Sequence, residues 1–321
     1  MKETVAIAHP NFALVKYWGK KDSNQNRPAM SSISVTVDSM ISKTKIFKNF
    51  QSNHHQLFIN GKEESDLSKI LPPLEYLSEF SRTEEYLVIE SQNNFPTSSG
   101  LASSASGIAS FVTAYEAHYN LCLDINHKVK ACMLGSGSAP RSLIGGFVLM
   151  DHKDNYRCSQ ILKEPEWPLD VLICIASKEP KKISSRKGME ISKKTSPIYQ
   201  DWLDVNDKHI NLALNAIKDK DMSALQIVTE ENCKLMHEVM KTSIPSISYM
   251  TDLTYSCLSE IENLRSLGHK LFYTIDAGPQ VKIICDPTSS EIMKNRIIET
   301  TDVIDIIHAG IGGPPKILNE S

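Results

Sequence analysis

The chain has 321 residues, a formal net charge of −3 and a pI near 6.4, so it has no general attraction for nucleic acid or an anionic membrane, and any lysines that matter must act locally. That length exceeds what one hydrophobic core usually serves, and two domains are expected. No apolar run approaches the ~20 residues that span a bilayer, and the first residues read directly as a strand without a leader, which predicts a soluble cytoplasmic protein. In chain order, strands are expected at 5–8, 33–37, 42–47, 86–90 and 146–150, with a helix opening just after residue 100 and another near 129–134. The chain changes character near Pro165: EPEWP, Glu164 to Pro168, stops a strand-rich half, and the apolar run DVLICIAS from Asp170 starts a new buried strand. The expected domains are therefore 1–167 and 168–321. The second half carries helical periodicity at 206–219, 222–241, 246–267 and 287–300 and strands at 271–275, 281–285 and 303–308, which makes the class α+β. Met222, Leu225, Val228, Met236 and Met240 form a helical apolar stripe that reads as core. Seven cysteines show no CxxC pair or zinc spacing and read as reduced core residues.

The run PTSSGLASSASG, Pro96 to Gly107, carries the most chemical information. The strand-like YLVIESQ before it is broken by Asn93, Asn94 and Pro96, and Leu101, Ala105, Ile108, Val112 and Tyr115 after it recur at helical spacing. A helix first turn has free N–H donors and a partial positive charge, and Gly100 among small neighbours lets an anion approach the backbone. Ser103 and Ser104 add hydroxyl donors. The P-loop GxxxxGK[ST] is excluded, because no lysine or arginine lies between Pro96 and Gly107. On this segment alone, a small-residue helix start packed tightly on a sheet explains the pattern equally well.

Three other segments favour an anion site. HPNFALVKYWGKKD, His9 to Asp22, gathers Lys16, Tyr17, Trp18, Lys20 and Lys21 around the turn residue Gly19. GSGSAPRSLIGG, Gly135 to Gly146, holds the single Arg141 among small residues, where a guanidinium can fork onto a carboxylate or phosphate or pin the turn. In LFYTIDAGPQVKIIC, Leu271 to Cys285, Asp276 interrupts two apolar runs, placed for chemistry or for capping.

Together these segments resemble the mevalonate diphosphate decarboxylases of the GHMP kinase superfamily, in order and over nearly the whole chain. The resemblance is carried by KYWGK (Lys16 to Lys20), SSISVTV (Ser31 to Val37), NFPTSSGLASSASG (Asn94 to Gly107), GSGSAPRSLIGGF (Gly135 to Phe147), SSRKGM (Ser184 to Met189) and TIDAGP (Thr274 to Pro279). The phosphate loop is common to the superfamily; KYWGK, GSGSAxRS and DAGP are similar to the decarboxylase branch. The implied fold is a ribosomal-protein-S5-like N-terminal domain and a ferredoxin-like C-terminal domain, with the site in the cleft between them.

The implied reaction uses ATP to phosphorylate the C3 hydroxyl of mevalonate 5-diphosphate, after which phosphate and carbon dioxide leave to give isopentenyl diphosphate. A tertiary alcohol needs a carboxylate to orient it and take its proton, and Asp276 is the candidate. Arg141 offers a fork for the substrate carboxylate, and Lys16 with Mg²⁺ answers charge on the transferred phosphoryl group. By the resemblance, Tyr17, Lys20, Ser138, Arg141 and Arg186 bind the substrate diphosphate. Asn94, Pro96, Ser99, Gly100, Leu101, Ala102, Ser103, Ser104 and Ser185 face the ATP phosphates, and Ser104 is the candidate for Mg²⁺. Whether Ser184 or Ser185 points inward is open. Met30, Pro140 and Gln280 depart from the common pattern, which admits a phosphomevalonate decarboxylase acting on the monophosphate. A non-catalytic nucleotide-binding or metabolite-sensing homologue is the reading from another class. A homodimer is common in the family and is expected.

Overall fold

The computed structural model describes residues 2–22, 25–96, 100–179 and 181–318. The chain opens with β1 (Glu3–Ala8), β2 (Asn11–Val15), β3 (Lys20–Asp22), β4 (Arg27–Pro28), β5 (Ser32–Thr36), β6 (Ser42–Lys48), β7 (Gln56–Ile59) and β8 (Lys62–Glu63). It continues through α1 (Leu71–Ser81), β9 (Leu87–Asn93), α2 (Ser103–His118), α3 (Ile125–Gly135), the single turn α4 (Ala139–Ser142), β10 (Phe147–Asp151), β11 (Arg157–Leu162) and β12 (Asp170–Ile175). The remainder is α5 (Ser185–Thr195), α6 (Tyr199–Asp204), α7 (Asn206–Lys218), α8 (Met222–Lys241), α9 (Asp252–Ser266), β13 (Leu271–Ile275), β14 (Val281–Cys285), α10 (Ser290–Thr300), β15 (Asp305–Ala309) and β16 (Lys316–Leu318).

Three larger sheets organise these elements, in the orders β16-β1-β6-β9-β7-β8, β11-β10-β5-β2 and β13-β14-β12-β15, and β3 pairs with β4 in a two-stranded sheet. Helix α2 lies close on the first sheet because the face it turns there is small: Ser106 Oγ meets Ser42 Oγ at 2.6 Å and Ser110 Oγ meets Thr44 Oγ1 at 2.6 Å. The second and third sheets share one apolar core, in which Phe12, Leu14, Ile33, Val35 and Phe147 pack with Val171, Ile173, Ile175, Ile210, Leu225 and Phe272. Helix α8 contributes to this core and lies against both β2 and β13, with Leu225, Val228, Met236 and Met240 buried and Met222 half-buried.

Several elements depart from expectation for identifiable reasons. Helix α1, for which no expectation was drawn, begins LPPL, whose prolines suit a helix first turn. The basic run KEPKKISSRKG, Lys178 to Gly188, reads from sequence as solvated loop by default, yet its end opens helix α5, which has few apolar residues and which Ser184 starts by accepting a bond from Lys187 N–H at 3.3 Å. The helix expected from 246 begins at Asp252, where Thr251 caps it, and the one expected from 287 begins at Ser290, after a 3-10 turn at Pro287–Ser289. All seven cysteines are free thiols, but Cys122 is exposed rather than in the core.

Candidate active site

A cleft of about 650 Å³ opens where β2, α2, α4, α5 and the turn between β13 and β14 converge. Six cations line it, Lys16, Lys20, Lys69, Arg141, Lys181 and Arg186, against two carboxylates, Asp66 and Asp276. In a chain of net charge −3, that local excess selects an anionic ligand.

At its floor, Lys16 follows the last residue of β2 and is 1% exposed. Its Nζ donates to Asp276 Oδ1 at 2.6 Å and to the Ala13 carbonyl at 3.0 Å, and its backbone N–H donates to Asn232 Oδ1 at 2.8 Å. Asp276 sits where β13 turns toward β14, and on its other side Lys282 Nζ lies 3.3 Å from Oδ2. Burial alone raises the carboxyl pKa, but the ammonium groups of Lys16 and Lys282 outweigh it and hold Asp276 well below the usual carboxylate range. Asp276 is therefore an anchored anion and a weak base.

Arg141 comes from α4, whose first turn accepts Pro140 without losing a helical bond. Its Nε donates to Asn11 Oδ1 at 3.1 Å and Ser34 Oγ at 2.9 Å, its Nη1 donates to Ser32 Oγ at 2.5 Å, and its guanidinium stands 5.8 Å from the Tyr17 ring centroid. Only 2% of the residue is exposed, so the fork is held rigidly at the cleft wall.

One end of the cleft is built around Asn26, whose Oδ1 accepts from Lys20 Nζ at 2.5 Å and from Arg186 Nη2 at 3.2 Å. Tyr17 and Ser138 line the cleft with them. Burial, reinforced by Arg186, lowers the Lys20 pKa to about 8 although Glu190 opposes it; burial, with Lys282 and Lys69 adding to it and Asp276 opposing, lowers Lys181 to about 8. Both are charged below pH 8 and lose charge above it. Anionic ligands raise both values, so binding takes up protons near pH 8, and the KM for an anionic substrate is expected to rise several-fold between pH 7 and pH 9. Initial rates across that range, with calorimetry in buffers of different ionisation heat, check this; a flat KM and no proton uptake would count against it.

The segment that opens α2 has two faces. Gly100, at φ +91°, brings its Cα against Gly278: a Cβ there would stand 2.8 Å from the Gly278 Cα. Ala102, at φ +56°, precedes α2 without a side-chain cap, which leaves the first-turn N–H groups available. Gly100, Leu101, Ala102, Ser103 and Ser104 line the cleft, and Ser104 Oγ lies 3.4 Å from Ser136 Oγ, itself 3.3 Å from Ser138 Oγ. Ser106 and Ser110 serve the sheet instead, as the packing reading of the small-residue run expects. Asn94 and Pro96 stand outside the cleft lining: the Asn94 side chain donates to the Ser39 carbonyl at 2.9 Å and accepts from Ile41 N–H at 2.7 Å, which pins the root of the loop. Ser99 lies outside the described residues.

Of the adjacent serines, Ser184 spends its hydroxyl on capping α5, whereas Ser185 Oγ accepts from Lys181 Nζ at 2.9 Å. Met30 packs with Trp18, Met189 and Trp202, and Gln280 Oε1 accepts from Ala176 N–H at 2.7 Å, bracing the end of β12. Sequence reasoning missed Asn26, Lys69, Ser136, Lys181 and Lys282. Two carried a signal: Lys181 lies in the basic run Lys178 to Gly188, and Lys282 is a lysine inside the otherwise apolar VKIIC.

Residues 8–160 match the family described as diphosphomevalonate decarboxylase-like N-terminal domain, and residues 171–312 match the mevalonate 5-diphosphate decarboxylase C-terminal domain. The diphosphomevalonate decarboxylase of Candida albicans is 33% identical over 313 residues, which cover 91% of this chain and 86% of the relative. Mevalonate diphosphate decarboxylase from Staphylococcus aureus superposes with a TM-score of 0.92 at 33% identity, over 99% of this chain and 98% of that one. MDDEF, solved in complex with MVAPP, AMPPCP and magnesium, superposes with a TM-score of 0.91 at 29% identity, over 99% of both chains. Likeness of that extent leaves no half of the sequence and no sheet of the fold unaccounted for, and the chain belongs to the diphosphomevalonate decarboxylase family, with its two-domain α+β GHMP kinase fold.

Proposed function

We propose that the protein is an ATP-dependent decarboxylase that converts mevalonate 5-diphosphate to isopentenyl diphosphate, ADP, phosphate and carbon dioxide. The observation that carries this is Asp276, an anchored carboxylate between two ammonium groups at the floor of a cation-lined cleft. The substrate diphosphate sits with Lys20, Arg186, Tyr17 and Ser138, and the rigid fork of Arg141 takes the C1 carboxylate. Asp276 accepts the hydrogen bond of the C3 hydroxyl and aligns its oxygen. In a loose phosphoryl-transfer transition state the hydroxyl proton leaves late, so a weak but well-oriented base suffices. Lys16, beside Asp276, and Ser185 with Lys181 face the charge on the transferred group, while the N–H groups that open α2 and the hydroxyls of Ser103 and Ser104 hold the remaining ATP phosphates.

Departure of the C3 phosphate leaves positive character on that carbon, which the Asp276 carboxylate faces. The C–C bond to the carboxylate then breaks, carbon dioxide leaves from Arg141, and the bonding pair becomes the new double bond. The hydroxyls of Ser104, Ser136 and Ser138 form an oxygen-only donor set, and no cluster of three or more His, Cys, Asp or Glu suited to a metal occurs among the described residues. That set fits a Mg²⁺ carried in on ATP, with Ser104 supplying one oxygen; the ion when bound neutralises phosphate charge. No helix among the described residues is long and apolar enough to cross a membrane, and we place the reaction in the cytoplasm, where seven free thiols persist.

The test is parallel release of ADP and carbon dioxide from purified protein with Mg²⁺-ATP and either mevalonate 5-diphosphate or mevalonate 5-phosphate. Equal release of both products from the diphosphate is expected. Preference for the monophosphate would move the activity to the phosphomevalonate decarboxylases, and ADP without carbon dioxide would make the protein a kinase.

A further inference from the structure

We propose that Lys282 is a positioning residue of this site: from behind the cleft it orients Asp276 and fastens the phosphate loop to the Asp276 turn, so that carboxylate and loop keep a single spacing. The inference rests on the decarboxylase reading above. Lys282 lies mid-strand in β14, where all five residues are buried, and its own side chain is 0% exposed. A lysine buried so completely is uncommon and must be paired. Its three partners come from three separate segments. Nζ lies 3.3 Å from Asp276 Oδ2 in the turn after β13, donates to the Gly100 carbonyl of the phosphate loop at 3.2 Å, and stands 5.0 Å from the ring centroid of Phe12 in β2.

Lys282 is not among the residues that line the cleft, so it acts through its neighbours. Lys16 holds one carboxylate oxygen and Lys282 the other, which leaves the carboxylate a single orientation. At the same seam the Gly100 and Gly278 backbones touch, too close to admit a Cβ. One ammonium group therefore satisfies the loop carbonyl and the catalytic carboxylate together, where the two segments meet.

The charged and titratable groups facing Asp276 are Lys16 and Tyr17 after β2, Arg141 on α4, Lys181 before α5, Cys233 and His237 on α8, and Lys282 on β14. Only Lys16 and Lys282 form ion pairs with the carboxylate among the described residues. Removing Lys282 subtracts one of them, and the carboxyl pKa rises.

The test uses the full chain as wild type and Lys282→Met, with kcat and the KM for mevalonate 5-diphosphate and for Mg²⁺-ATP. The expected result for K282M is a loss in kcat of about 10²-fold, the scale of an ångström misplacement, with the KM for mevalonate 5-diphosphate nearly unchanged. A folded K282M with wild-type kcat overturns the proposal, and so does a loss carried in the KM for mevalonate 5-diphosphate rather than in kcat. If K282M does not fold, thermal unfolding of Asp276→Asn and of the Asp276→Asn, Lys282→Met double variant decides. A double variant more stable than D276N supports the pairing, because it removes an ammonium left without its carboxylate, and one equally or less stable overturns it. Wild-type protein inactive on both substrates would sink the decarboxylase reading, while the unfolding comparison would still report on the pairing.

Discussion

Asp276→Asn is expected to lower carbon dioxide release from mevalonate 5-diphosphate by about 10³-fold or more, with ADP release falling in step. Asparagine keeps the shape but neither draws the hydroxyl proton nor faces the positive character that develops at C3. The same change strands the ammonium groups of Lys16 and Lys282, whose side chains are 2% and 0% exposed. Breaking a buried pair costs about 3 kcal/mol at the low end, and the low end applies because 24% of the Asp276 side chain faces the cleft. A lower unfolding temperature should therefore accompany the loss of activity. The two product assays separate the roles: ADP release that persists while carbon dioxide stops would confine Asp276 to the second half of the reaction, against the dual role argued above.

Arg141→Lys is expected to cost about 10²-fold or more in kcat/KM for mevalonate 5-diphosphate despite preserving the charge. An ammonium group cannot satisfy Asn11 Oδ1, Ser34 Oγ and Ser32 Oγ while also presenting a planar fork to a carboxylate. Buried acceptors left without their donor cost about 1–3 kcal/mol, so the variant should also unfold at lower temperature. Steady-state kinetics alongside calorimetry check both; an R141K enzyme with unaltered kcat/KM would show that the guanidinium only braces the turn.

What was legible in the sequence was whatever depends on local order. The break after β9, the start of α2, the turn at Asp276 and the small-residue frame around Arg141 could be read because strand, break and helix follow one another within a dozen residues. What was not legible depends on the meeting of distant segments. Lys69 and Lys181 sit in polar stretches that resemble solvated loop, and only the fold brings them to the cleft. Helix α5 was missed because its stability comes from packing rather than propensity: a Cβ at Gly188 would stand 3.0 Å from Trp18, a contact made by chain 170 residues away. Asn94, read by resemblance as a phosphate contact, spends its amide on Ser39 and Ile41, a choice between two polar partners that spacing alone does not decide.

The core shared by the second and third sheets limits how ligands reach the floor of the cleft. Phe12, Leu14, Val35 and Phe147 belong to one buried core with Val171, Ile173 and Ile175, so swinging the two halves apart would bare apolar faces to water. Each such side chain contributes about 1.5–3 kcal/mol by its burial, which puts the opening far beyond thermal reach during turnover. The floor that holds Asp276 is thus expected to keep its place while ligands enter from the open side of the cleft, whose lining includes Ser185 and Arg186.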